Sequence, residues 1–198
     1  MANEKIHEYI DSVVVNDVKG NEIWIDTDTG TGSNWTSKKL DIKVLAQILR
    51  THFKVYGQFN NNSKQYITQA NREQQIVLDV EDNVNDLSLS NNAIVISEDG
   101  LYRVQYILMV ANSGGTHAHL DSWMKIDGQM VDISRKQIDA HSNQSGSPLV
   151  NEMILQMGSG SLLTFWMMAS NTNVVLQYET GTIDIPQMPS ILVTIEKI

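Results

Sequence analysis

An all-β fold, a pair of stacked antiparallel sheets, is what the C-terminal two-thirds of this 198-residue chain predicts. Three observations carry it. Gly100 to Val110 alternates strictly after the turn signal Asp99-Gly100: Tyr102, Val104, Tyr106, Leu108 and Val110 share one face, and Leu101, Arg103, Gln105, Ile107 and Met109 the other. Side chains alternate across a strand, so the first set reads as core and the second as mixed. About ten short apolar runs separated by turn signals lie beyond residue 66, a spacing typical of sandwiches. No apolar pattern of helical period competes in that region.

Taken in order, the chain opens differently. Ile23-Trp24-Ile25-Asp26 reads as a short strand, and Asp28 to Asn34 as turn and loop. Asp41 is placed to cap a helix over about 41–53, in which Val44, Leu45, Ile48 and Leu49, with His52 or Phe53, make one apolar stripe. A helix of about 13 residues is marginal alone in water, so it needs a surface to dock on, its own domain or another chain. Residues 1–60 therefore read as an N-terminal anchor segment. Gly57 to Gln65 is polar and rich in turn formers, and reads as a linker.

Residues 66–198 read as the β head. Strands are expected at 76–80, 87–89, 93–96, 101–110, 117–126, 129–133, 153–157, 162–168, 174–178 and 190–196. Asp127-Gly128 is a hairpin signal, and a polar loop is expected over about 139–148. The 3 prolines, Pro148, Pro186 and Pro189, fall in expected loops or at a strand entry, where a missing N–H does no harm.

Composition narrows the function. The formal net charge of -9 gives no cationic footprint for a nucleic-acid backbone. With 0 cysteines, disulfides, thiolate chemistry and cysteine-based zinc sites are excluded. The first residues show no apolar signal region, and no apolar run approaches the roughly 20 residues that span a bilayer. The expectation is a protein made in a reducing cytosol, with neither nucleic acid nor membrane as partner.

Three stretches carry a family likeness. Ser97 to Tyr106 holds an aspartate-glycine-x-tyrosine strand, Trp123 to Val131 an apolar hairpin around Asp127-Gly128, and Met153 to Leu162 a strand and glycine turn; Ser190 to Ile195 matches a closing strand. Together, in this order, they resemble the tumour-necrosis-factor-like jelly roll, in particular the complement-type globular heads, over residues 76–198. Ser159 or Gly160 stands where that family carries an acidic residue, so the likeness implies no calcium-type site there. The resemblance implies a homotrimer packed about a three-fold axis through apolar and aromatic faces. The candidate interface residues are Tyr102, Tyr106, Leu163, Phe165 and Met167. Leu162 to Met168 is apolar on both faces, and a strand of that kind is buried on both, under its own chain or another.

The N-terminal Lys38-Lys39-Leu40-Asp41-Ile42-Lys43-Val44-Leu45 resembles a bacteriophage virion pattern in which a short extended peptide precedes a fibre or head module. It implies an anchor through Leu40, Val44, Leu45, Ile48 and Leu49 onto a major capsid or other virion protein. The function expected is a non-enzymatic virion structural protein: a homotrimeric head fibre or capsid decoration. The alternative is a trimeric tip module that binds a receptor or a cell-surface glycan.

Candidate chemistry is sparse. His117 and His119, two apart on an expected strand, would share a face with Asp121, a donor set suited to a transition metal. In a trimer, three copies of the pair near the axis could supply six nitrogens to one ion; the alternative is a solvated or interface-facing strand edge beside Gly114-Gly115. No nucleophile elbow is present, the serines around His141 lie in a polar loop, and Gly158-Ser159-Gly160-Ser161 reads as a hairpin turn with no helix behind it. No catalytic residue and no cofactor is expected. Trp24, Trp35, Trp123 and Trp166 could stack on sugar rings, although tryptophans more often fill cores or interfaces.

Overall fold

The computed structural model describes strand residues 13–19, 22–28 and 35–41 and all residues from 55 to 198. The chain divides into two units, Met1–Lys54 and Val55–Ile198.

In the first unit, strands β1 (Val13–Lys19), β2 (Glu22–Asp28) and β3 (Trp35–Asp41) form an antiparallel sheet in the order β1-β2-β3. The expected strand at 23–26 lies within β2. Strands β1 and β3 were not expected. Leu40 pairs with Ile23 and Asp41 with Glu22, so both residues end a strand. Residues 42–53 of the expected helix, and with them Val44, Leu45, Ile48 and Leu49, lie outside the described residues.

The second unit is a sandwich of two antiparallel sheets, an architecture compatible with a jelly roll. The first sheet centres on β10 (Gly100–Asn112). One edge of β10 carries β14 (Gln144–Met157); the other carries β17 (Ile191–Lys197) and, end to end with it, β16 (Val174–Leu176). Beyond β17 lie β4 (Tyr56–Asn61) and β7 (Val80–Asn85), and beyond β16 lies β5 (Gln65–Tyr66). The second sheet centres on β11 (Ala118–Ile126) and β15 (Leu162–Ala169). β12 (Gln129–Met130) and β13 (Lys136–Ala140) flank β11; β9 (Ala93–Ile96), with β8 (Leu87–Ser90), and β6 (Gln74–Gln75) flank β15. From β9 to β17 the chain crosses repeatedly between sheets, which is why sheet neighbours are seldom sequence neighbours.

The core lies between the sheets. From β10 it takes Tyr102, Val104, Tyr106 and Leu108, from β15 Leu163, Phe165 and Met167, and from β17 Ile191, Val193 and Ile195, all 0% exposed. The Phe165 and Tyr106 rings meet edge to face, with centroids 5.2 Å apart. The expected core face of β10 is therefore the observed one.

Three expectations fail for a common reason. Residues 57–65 are not a linker: Tyr56–Asn61 is a strand, paired with β17 over six positions, and its Phe59, Asn60 and Asn61 are buried. The loop expected over 139–148 shrinks to a turn at 141–143 between the end of β13 and the start of β14. Ile76 to Val80 is largely coil, although Ile76 and Leu78 are core residues. In each case local propensity is overruled by pairing or packing with distant chain. Pro148 sits inside β14, opposite Met109. β14 pairs only with β10 among the described residues, so its other edge tolerates the missing N–H.

Candidate functional site

The five residues expected at a trimer interface are core residues of a single chain. Tyr102, Tyr106, Leu163, Phe165 and Met167 are all 0% exposed between the two sheets, so none can meet a second copy. For Tyr102 and Tyr106 the alternation had marked this face as core, against the interface role that the family likeness implied; for β15, apolar on both faces, it could not say which face was inward.

The outward apolar surface lies on the opposite face of the first sheet. Leu101 of β10 and Val150 and Ile154 of β14 are 46%, 50% and 56% exposed. Ile107 and Met109 of β10 and Leu192 of β17 lie on the same face, partly exposed. Cross-strand register fixes the arrangement: Val150, Ile107 and Leu192 form one row, Glu152, Gln105 and Thr194 the next on that face, and Ile154, Arg103 and Glu196 the one beyond. Arg103 lies 3.0 Å from Glu196 and 3.7 Å from Glu152, and Gln105 donates to Glu152 at 3.2 Å. The result is an apolar stripe interrupted by one charged band. Exposed apolar residues gathered on one sheet face in this way mark interaction surfaces.

The outer face of β15 is half-covered by its own chain. Leu162 is exposed, while Thr164, Trp166 and Met168 are partly buried. The Lys125 ammonium stands 3.8 Å over the Trp166 ring and is held there by Glu73, 3.0 Å away. Trp123 lies directly across from Trp166 and is only 5% exposed. Trp123 is thus buried, and one face of the Trp166 ring is taken by Lys125.

His117 precedes β11 and His119 lies within it, opposite Asp139. The ring partner of His117 is His141, with centroids 5.2 Å apart, and its Nε2 is 3.8 Å from Asp139. No group of three or more histidines and carboxylates set to hold a metal occurs among the described residues. Asp121, expected on the histidine face, is instead committed: its buried carboxylate accepts from Arg135 Nε at 2.9 Å and from Gln137. The Gly158 to Ser161 segment is the hairpin turn it was expected to be, with Gly160 at φ +84 and Ser159 N donating to Asp99 at 2.7 Å.

No protein-family model matches the chain, and no curated protein matches it.

Proposed function

We propose that the protein is a non-enzymatic virion structural protein, a homotrimeric head fibre or capsid decoration with a tumour-necrosis-factor-like head, attached through its N-terminal segment. The observation that carries this reading is the apolar stripe of Leu101, Ile107, Val150 and Ile154 on the outer face of the first sheet. It is broken by Arg103 and by Glu152 and Glu196, charges of both signs on one surface. Apolar rows beside charges of both signs suit contact with a further copy of the chain, and in a three-fold ring this face would meet a different face of its neighbour. The sheet order supports the jelly-roll assignment, since closing strand β17 lies at the centre beside β10.

The test is the mass of the full chain in solution at micromolar concentration. A trimer of the 22.2 kDa chain is expected, and Ile154→Glu is expected to release monomer. A wild-type monomer would remove the reading's main support. Attachment is tested separately, by looking for the chain on purified virus particles.

A further inference from the structure

We propose that a groove at one end of the first sheet binds an uncharged saccharide, with Tyr66 as its stacking platform. The groove has a volume of about 430 Å³ and is lined from β5, β16, the end of β10 and the start of β14. That volume is within the range of small-ligand sites.

Its floor is a cross-strand row. Tyr66 pairs with Val175, and Val175 pairs with Ala111. Val175 and Ala111 are 7% and 6% exposed, small and apolar, while Tyr66 at the end of the row is 63% exposed. A tyrosine presents a flat apolar body with a polar tip, the surface on which the C–H face of a pyranose ring packs. Tyr56, 44% exposed, lines a second groove of about 380 Å³, but Tyr66 is the more exposed ring and its groove the larger of the two.

The rim supplies the hydroxyl partners. Lys64, Asn143, Gln177 and Glu179 line the groove, and none of these side chains bonds to another described residue. An ammonium donor, a carboxylate acceptor and two amides that do both form a mixed set, which fits hydroxyl groups that both donate and accept. By contrast, Asn112 and Gln144 beside them are committed to internal hydrogen bonds and act as walls. One lysine and one glutamate balance on the rim, and the chain as a whole is at -9, so the field discourages an anionic sugar. Nothing here depends on the chain being trimeric or virion-borne.

The full chain is to be probed with maltotriose, cellotriose and chitotriose by saturation-transfer NMR and calorimetry, with sialyllactose as the anionic comparison and an array of neutral cell-surface glycans alongside. At least one neutral sugar is expected to bind with a Kd of about 1 mM or tighter. Tyr66→Ala is expected to weaken it about tenfold and Gln177→Ala about fivefold, while Tyr66→Trp retains it. Tyr66 is exposed, so its variants fold, and circular dichroism checks this. The mass of each variant is measured in parallel, so that lost sugar binding with unchanged mass reports on the groove alone. No response to any neutral glycan, tighter binding of sialyllactose than of the neutral sugars, or an affinity indifferent to Tyr66→Ala would each overturn the proposal.

Discussion

The Tyr106 phenol donates a hydrogen bond to Ser122 Oγ, 3.1 Å away on the opposite sheet. Ser122 passes its own proton to the Trp166 carbonyl at 3.0 Å. Asn151 Nδ2 donates to the phenol at 3.2 Å and to the Ser134 carbonyl at 2.7 Å. The buried polar chain thus spans both sheets with every member partnered, and it fixes how β10, β11 and β14 sit on one another. Tyr106→Phe removes the central link but leaves Ser122 and Asn151 their other acceptors. The expected loss is about 1 kcal/mol in urea denaturation, with an unchanged denaturant slope.

The same phenol gives stability a pH dependence. Burial pushes its pKa above the ordinary 10.0, against the smaller pull of its bonds to Ser122 and Asn151. The folded chain therefore keeps this proton after the unfolded chain has lost it. Stability from this group is complete below about pH 10 and falls as pH rises through the folded value. Tyr102, whose pKa burial and the Glu98 charge also raise, contributes a second share. Comparing urea midpoints at about pH 9 and about pH 11, Tyr106→Phe should reduce the fall without abolishing it.

Core and outer face can be told apart by concentration. Phe165 is fully buried within one chain, so Phe165→Ala should cost about 3–5 kcal/mol whatever the protein concentration. Ile154 is 56% exposed, so Ile154→Glu should leave the unfolding of a single chain nearly unchanged while shifting the association equilibrium. Thermal melts over a hundredfold dilution series, read beside sedimentation, check both. A concentration-dependent loss for Phe165→Ala would place that ring between chains after all.

Strands with strong local chemistry were legible in the sequence: β9, β10, the Asp127-Gly128 hairpin and β15. At that hairpin Asp127 and Gly128 both take positive φ, 51 and 78, as the dipeptide demands. Strand β4 was illegible because its buried residues are partly polar. Asn61 accepts from Ser190, and Gln65 beyond it donates to Ser190 and to the Val77 carbonyl. Ser190 lies more than a hundred residues along the chain, so no window of sequence contains both halves of those bonds. The groove was hidden likewise: Lys64, Tyr66, Asn143, Gln177 and Glu179 come from three separate segments and meet only through the sheet. The misassigned interface had another cause: the family likeness set Tyr102 and Tyr106 against their own core reading, and β15 is apolar on both faces, so period two could not say which of them looked inward.

Asn112 shows what such non-local satisfaction is worth. It is 1% exposed at the end of β10, where its register with β14 is irregular. Its amide nitrogen donates to the Thr116 and Ala140 carbonyls, both at 2.9 Å, and its oxygen accepts from Gly114 N at 2.9 Å. One side chain thereby holds the β10–β11 loop to the end of β13. Asn112→Ala would leave two carbonyls and an N–H short of a partner, and the N–H has a single proton to place where each carbonyl has two lone pairs. The expected cost is about 2–3 kcal/mol. Hydrogen exchange should speed up at Gly114 and its loop well before the central strands respond, because the loop opens locally. Asn112→Asp separates the two halves of the bond set: it keeps the acceptor for Gly114 but sets a carboxylate against two carbonyls. It should therefore destabilise at least as much as alanine, and a milder effect would mean that the contact with Gly114 alone holds the loop.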